Sequence, residues 1–141
     1  MTPHENEPEI ASKEAIRLAA ISLLVQVAKA DHSLSDEEES KLVELVNCHF
    51  NTSNELEHSE LITLAKAKSD ASTSLYEFTS SINESYSMSQ KFQLITLMWK
   101  MAYSDDVIHA YEEHLIRRVA DLVYLPHVQF MEAKHLAKQD C

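Results

Sequence analysis

The chain of 141 residues contains no glycine, and this absence limits the folds open to it. Tight hairpin turns and many β-bulges need backbone conformations that glycine adopts most readily. Apolar residues instead recur at helical spacing along nearly the whole chain, and few β-branched runs alternate with polar residues. The sequence therefore predicts an all-α protein, a compact bundle of about seven helices.

Periodicity and capping signals place the predicted helices along one domain. The length suits a single buried core, so residues 13–141 are predicted to form one domain and residues 1–12 a flexible N-terminal segment. The fifth predicted helix, 90–103, is apolar almost all round, which indicates a central position with Trp99 buried. The other predicted helices are 12–29, one after Ser35, one after the capping signal Thr52–Glu55, one over 72–85, one from near His109 and one after Pro126.

The formal net charge of −11, from 23 acidic and 12 basic residues, argues against several classes of partner. Nucleic-acid affinity depends mainly on basic groups, and an anionic membrane surface also attracts positive charge. The longest apolar stretch, 15–28, is interrupted by Arg17, Ser22 and Gln26 and is too short to span a bilayer. The N-terminal residues lack the basic and apolar parts of a signal peptide, and the cysteines form no disulfide framework. We therefore expect a cytoplasmic protein with no nucleic-acid partner and no membrane insertion.

Two acidic stretches follow apolar helices: "AKADHSLSDEEE" from residue 28 and "AYSDDVIHAYEE" from residue 102. Subtracting 31 from 105 gives an offset of 74, which aligns acidic and apolar positions alike. Helical periodicity alone explains matching apolar positions, but it does not explain matching acids at unchanged spacing. The sequence therefore predicts two helix–turn–helix repeats packed about a pseudo-twofold axis. The aligned pairs are Ile21 and Ile95, Leu23 and Leu97, Ala28 and Ala102, Asp31 and Asp105, Leu34 and Ile108, Glu38 and Glu112, Glu39 and Glu113, and Leu42 and Ile116.

The first interpretation of these acids is structural. Ser35 and Glu38 form a Ser-x-x-Glu capping box, and acids in a first turn suit the helix dipole. Asp31 accepts a turn hydrogen bond in this interpretation. Neither repeat is an EF-hand, because that loop needs glycine at its sixth position and glutamate at its twelfth. The acids assigned to a solvent-exposed face are Asp36, Glu37, Glu39 and Glu113.

The second interpretation is a metal site. His109 stands where Ser35 stood and is a poor cap, yet Glu112 is retained, so capping alone does not explain this glutamate. If the repeats pack about a twofold axis, four acids converge and supply oxygen donors for a hard cation such as Ca²⁺, Mg²⁺ or Mn²⁺. Zinc is less favoured, because no histidine spacing repeats between the halves. A helix N-terminus repels a cation, which suggests modest affinity. The predicted ligands are Asp31, Glu38, Asp105 and Glu112.

These stretches resemble the paired A-D-G-x-I-x-x-x-E motifs of the TerB-like tellurite-resistance domain. The segments "SLYEFTSSIN" and "LITLMWKMAYSDD" resemble those that lead into the second motif, and the resemblance covers about residues 13–137. It implies a compact all-α fold with pseudo-symmetric halves, a divalent-metal site made by the same four acids, and a role in a stress-response assembly with other proteins. The chain departs from the motif at its glycine positions, which hold His32 and Asp106. Both residue types tolerate a left-handed backbone, and His32 is a candidate nitrogen ligand.

Three functions are open at this point. The first is a non-catalytic TerB-like domain that binds a divalent cation. The second is a protein-interaction module without metal, whose acidic face docks a basic partner. The third, an oxyanion-processing enzyme, is disfavoured, because the chain has no Gly-x-Ser-x-Gly motif and no phosphate-binding loop. Cys48, alone on an apolar helix, is normally an inert packing residue. We therefore expect no enzyme.

Overall fold

The computed structural model describes residues 6–29, 34–50, 58–71, 74–105 and 108–138, with the backbone alone at 6–14 and 105. Within these ranges the chain forms seven α-helices and no strand, which confirms the all-α prediction. The helices are α1 (Asn6–Ala28), α2 (Asp36–His49), α3 (His58–Ala71), α4 (Tyr76–Ser85), α5 (Met88–Ala102), α6 (Ala110–Leu122) and α7 (His127–Ala137), with a 3₁₀ turn (Tyr103–Asp105) after α5.

Capping boxes define where two of these helices begin. At α2 the N–H of Ser35 donates to Oε1 of Glu38 at 2.9 Å, and the N–H of Glu38 donates to Ser35 Oγ at 3.1 Å, as predicted. Ser87 and Gln90 form the same box at the start of α5, with distances of 2.8 and 3.2 Å. Because Gln90 is the third residue of this first turn, α5 begins at Met88, earlier than the predicted start.

Other predicted helix starts differ from those observed or lie outside the described residues. α1 begins at Asn6 rather than near residue 12. Pro8 does not interrupt it, because the backbone N–H groups of a first turn have no acceptor within the helix. α4 begins at Tyr76 rather than at residue 72. The capping signal Thr52–Glu55 and residues 1–5 lie outside the described ranges.

The two apolar helices α1 and α5 form the centre of the bundle. They contact each other, while α3 and α4 also pack against α1, and α6 and α7 against α5. Residues 20–25 of α1 and 97–99 of α5 are all 3% exposed or less. Trp99 is fully buried, as predicted, because a helix that is apolar on nearly every side must be enclosed by its neighbours.

Most positions 74 residues apart in α1–α2 and α5–α6 match in burial, and one pair of hydroxyls matches in hydrogen bonding. The hydroxyl of Ser22 donates to the carbonyl of Leu18 at 2.6 Å, and that of Thr96 donates to the carbonyl of Phe92 at 2.8 Å. The contacts between the two repeats also match, because α2 of the first contacts α5 of the second, and α6 of the second contacts α1 of the first. These matches support the predicted pseudo-twofold arrangement. The matching buried pairs include Ile21 and Ile95, Leu23 and Leu97, Leu42 and Ile116, and Leu45 and Val119.

Each repeat extends to a third helix that the sequence alignment did not include. α3 packs on α1 in the first unit, and α7 packs on α5 in the second. Lys66 of α3 pairs with Glu39 of α2 at 2.5 Å, and Lys134 of α7 pairs with Glu113 of α6 at 3.4 Å. The lysines are 68 residues apart (134 minus 66), so the offset of 74 is lost between the second and third helices. Within the described residues, the first unit comprises α1, α2 and α3 and the second α5, α6 and α7, while α4 lies between them in the chain and packs against α1.

Tyr124 ends α6 in a conformation that usually needs glycine. Its φ angle is 63°, in the left-handed region. The N–H of Tyr124 donates to the carbonyl of Asp121 at 3.1 Å, and that of Leu125 to the carbonyl of Ala120 at 2.9 Å, which is the Schellman pattern. A Cβ in this region costs about 1 kcal/mol. The ring is 74% exposed, and its centre lies 5.9 Å from Lys91 Nζ.

The variant Tyr124→Gly is expected to be more stable than Tyr124→Ala by about 1 kcal/mol. Both variants lose the ring and its contact with Lys91, but only alanine keeps the steric cost of the left-handed backbone. Urea unfolding of the two variants measures the difference. Equal stabilities would show that residue 124 does not adopt this conformation in solution.

Candidate functional site

The structure describes the side chains of two of the four predicted ligands, and both are buried. Glu38 lies in the first turn of α2 and is 6% exposed, and Glu112 lies in the first turn of α6 and is 4% exposed. Asp31 lies outside the described residues. Asp105 ends the 3₁₀ turn, but its side chain also lies outside them. The convergence of all four acids therefore stays a prediction.

Each buried glutamate caps the start of its own helix. Oε1 of Glu38 accepts the N–H of Ser35, and Oε1 of Glu112 accepts the N–H of His109, both at 2.9 Å. The backbone before the two helices also matches, with φ and ψ of −74° and 165° at Ser35 and −82° and 152° at His109. The expectation that capping does not explain Glu112 is therefore wrong. Of the two hydrogen bonds in a capping box, the one accepted by the glutamate needs only a backbone N–H on the residue before the helix. Every residue except proline supplies this group.

The 3₁₀ turn after α5 lies beside the helix that carries Glu38. This turn, Tyr103–Asp105, contacts α2 as well as α5, so the element that ends at Asp105 packs against a helix of the other unit. Among the side chains that the structure describes, no group of three or more histidines, cysteines, aspartates or glutamates is placed to hold a metal ion. His32 and Asp106, at the motif's glycine positions, lie outside the described residues.

The glutamates that follow the two caps have a structural role that the sequence analysis missed. Glu39 and Glu113 were expected to face solvent, but both are partly buried and pair with lysines of the third helices. One of these lysines, Lys134, also places Nζ 5.2 Å from the centre of the Trp99 ring. These ion pairs connect α2 to α3 and α6 to α7 at partly exposed positions, where such pairs contribute little to stability. The repeat does not identify these pairs from the sequence, because Lys66 and Lys134 recur at an offset of 68 (134 minus 66) rather than 74.

The C-terminal end of α2 also differs from the prediction. Cys48, expected to be a packing residue, is exposed. It follows Leu42 by six residues (48 minus 42), which places it away from the buried face of a helix with 3.6 residues per turn. The next residue, His49, has a pKa lowered from its ordinary value of 6.5, chiefly by burial and then by the positive charge of Lys100 in α5.

The helical fold, with a glutamate cap at the start of α2 and of α6, defines an all-α domain with a duplicated acidic motif. The family model for "Tellurite resistance protein TerB" matches residues 17–135. The chain therefore belongs to the TerB family. No curated protein and no solved structure matches it. Over the part of the chain that the structure describes, no helix is long and apolar enough to cross a membrane.

Substitution of the capping glutamates distinguishes the contribution of the capping hydrogen bond to stability from that of the carboxylate charge. Glu112→Gln keeps an oxygen acceptor for the N–H of His109, whereas Glu112→Ala leaves that N–H without it. The alanine variant is expected to be less stable than the glutamine variant by about 1–2 kcal/mol, as measured by urea unfolding. The same order is expected at Glu38. If alanine and glutamine have the same effect, the capping hydrogen bond does not contribute to stability.

The lowered pKa of His49 predicts a dependence of stability on pH. As the pH falls below 6.5, the unfolded chain binds a proton at this histidine before the folded protein does, so folding loses stability until the folded protein is protonated as well. His49→Gln should therefore lose less stability than the wild type between about pH 7.5 and pH 5.5. Unfolding curves at several pH values measure this difference. A parallel pH dependence in both proteins would contradict the lowered pKa.

Proposed function

We propose that this TerB-family domain binds a divalent cation between its two units, with Asp31, Glu38, Asp105 and Glu112 as ligands. Ca²⁺, Mg²⁺ and Mn²⁺ suit these oxygen donors better than Zn²⁺. In this proposal the domain is non-catalytic and acts in the cytoplasm, in a stress-response assembly with other proteins. The family name associates such domains with tellurite resistance, which is a phenotype and does not specify a mechanism.

The observation that carries the proposal is the burial of Glu38. Its side chain is 6% exposed, and it forms no ion pair with any residue that the structure describes. Buried charges in proteins are normally paired or coordinate metals. The capping bond occupies Oε1 alone, whereas an ionised carboxylate has about four acceptor positions on two oxygens. Glu38 can therefore cap α2 and bind a cation at the same time.

The repeat supports a site shared by both units. Glu112 is as deeply buried as Glu38 and makes the same capping bond. The 3₁₀ turn that ends at Asp105 contacts α2, the helix that carries Glu38, which supports a shared site. A bound cation supplies positive charge that relieves repulsion among the carboxylates. Each helix N-terminus carries about +0.5 charge and opposes the cation, which favours modest affinity.

A second candidate function is a protein-interaction module that acts without metal. Asp36 and Glu37 at the start of α2 are exposed, as predicted, and form no ion pair within the described residues. Exposed acids without cationic neighbours are available to a basic partner and increase its association rate. This function predicts no effect of cations on stability.

Thermal unfolding in Ca²⁺, Mg²⁺, Mn²⁺ or a chelator tests the cation site. The wild type is expected to unfold at a higher temperature with the preferred cation, which adds about 2.7 kcal/mol of stability at a free concentration of 100 Kd. Asp31→Asn combined with Asp105→Asn should abolish this shift. The same double variant should be more stable than the wild type in chelator, because fewer like charges then repel one another.

Two further double variants test which acidic residues are needed for the response to the cation. Glu38→Gln with Glu112→Gln retains both caps but removes both charges, so it should also abolish the cation effect. Asp36→Asn with Glu37→Gln removes two charges from the exposed start of α2 and is the matched control, so it should respond like the wild type. A wild type that does not respond to any cation, or an equal response in every variant, would contradict the site and favour the metal-independent module.

A further inference from the structure

The outward faces of α2 and α6 occupy matching positions in the two units but carry opposite charge. All residues of both faces are exposed, and each residue of the second lies 74 positions after its counterpart. The acidic face consists of Asp36, Glu37, Ser40, Val43 and Glu44, and the basic face of Ala110, Tyr111, His114, Arg117 and Arg118.

The acidic face carries three carboxylates and one exposed apolar side chain. Asp36 and Glu37 have no ion pair in the described part of the chain, while Glu44 lies 3.1 Å from Lys41 at the edge of the face. Val43 is 38% exposed. The face therefore combines negative charge with a small apolar surface.

The basic face carries two adjacent arginines in a chain whose net charge is −11. Arg118 is exposed and has no ion pair among the described residues. Arg117 lies 3.7 Å from Glu113 and 5.2 Å from the centre of the Phe130 ring, so its guanidinium is held in place. Tyr111 is 43% exposed and supplies an apolar surface like that of Val43. Beyond this face, Asp121 places one carboxylate in the last turn of α6.

We infer that the acidic face of one copy of the chain docks on the basic face of a second copy. The two faces have complementary charge and equal length, since they occupy matching positions on equivalent helices. The net charge of −11 opposes the approach of two copies. At about 0.1 M salt the Debye length is about 10 Å. The dissolved ions therefore screen this long-range repulsion more than they weaken the attraction between opposite charges in contact. One helix face on each side is a small interface, so the association is weak, with Kd on the order of 0.1–1 mM.

The contact is heterologous, because two different faces meet. In a pair, one copy retains a free basic face and the other a free acidic face, so association continues beyond the dimer unless a ring closes. Neither face contains a proposed cation ligand. The inference is therefore independent of the cation site, and either one can fail without the other.

Sedimentation equilibrium of the whole chain tests the inference. The average mass of the wild type should increase with concentration up to about 1 mM at about 0.1 M salt, and should return to that of the monomer at about 0.5 M salt. Glu37→Lys with Glu44→Lys should abolish association, as should His114→Glu with Arg118→Glu. An equimolar mixture of these two double variants should associate again, because each reversed face then meets a face of opposite charge.

A matched control distinguishes an effect of the two faces on association from an effect of net charge alone. Glu84→Lys with Glu132→Lys makes the same change in net charge as the first double variant, at exposed positions of α4 and α7, and should associate like the wild type. The inference is overturned if the wild type is monomeric throughout, if the mixture stays monomeric, or if the control also abolishes association. Misfolding cannot imitate the expected result, because an unfolded variant would not restore association in the mixture.

Discussion

The contact between α1 and α5 organises the rest of the domain. Both helices are too apolar to leave a broad face in water, so each needs other helices around it. α3 and α4 cover the first, and α6 and α7 cover the second. The two units fill equivalent space with different side chains, since Val25 and Trp99 occupy matching positions and are both fully buried. In the second unit Trp99 packs against Phe130 of α7, with ring centres 5.2 Å apart.

The residues of the two units are similar at positions that packing or capping constrains, and they differ at positions that are exposed to solvent. A buried position tolerates little change in volume, and a helix start needs its N–H groups satisfied, so these positions retain the repeat. Exposed positions on a helix tolerate substitution at small cost. The opposite charges of Glu44 and Arg118, at equivalent outward positions, are therefore compatible with one shared fold. A duplicated domain can acquire two different surfaces in this way without repacking its core.

The capping bond and the proposed cation site place compatible demands on the same glutamates. From the third position of a helix, a glutamate side chain reaches back to the N–H of the residue before the helix, which orients its carboxylate. Glu38 and Glu112 are oriented in this way before any cation binds, so less side-chain freedom is lost on binding. The positive helix end opposes the cation, however. The same arrangement therefore favours an ordered site and limits its affinity.

The sequence by itself determined the helices, the duplicated acidic motif and the Ser35–Glu38 cap, because these depend on periodicity and on contacts within one helical turn. Only the tertiary structure decided that Glu39 and Glu113 pair with the third helices, since those partners lie 27 and 21 residues away (66 minus 39, and 134 minus 113). The exposure of Cys48 was likewise undetermined, because periodicity predicts that a helix has a buried face but does not define its exact width. Local signals predict which segments form helices, whereas the environment of each helix face depends on helices that are distant in the chain.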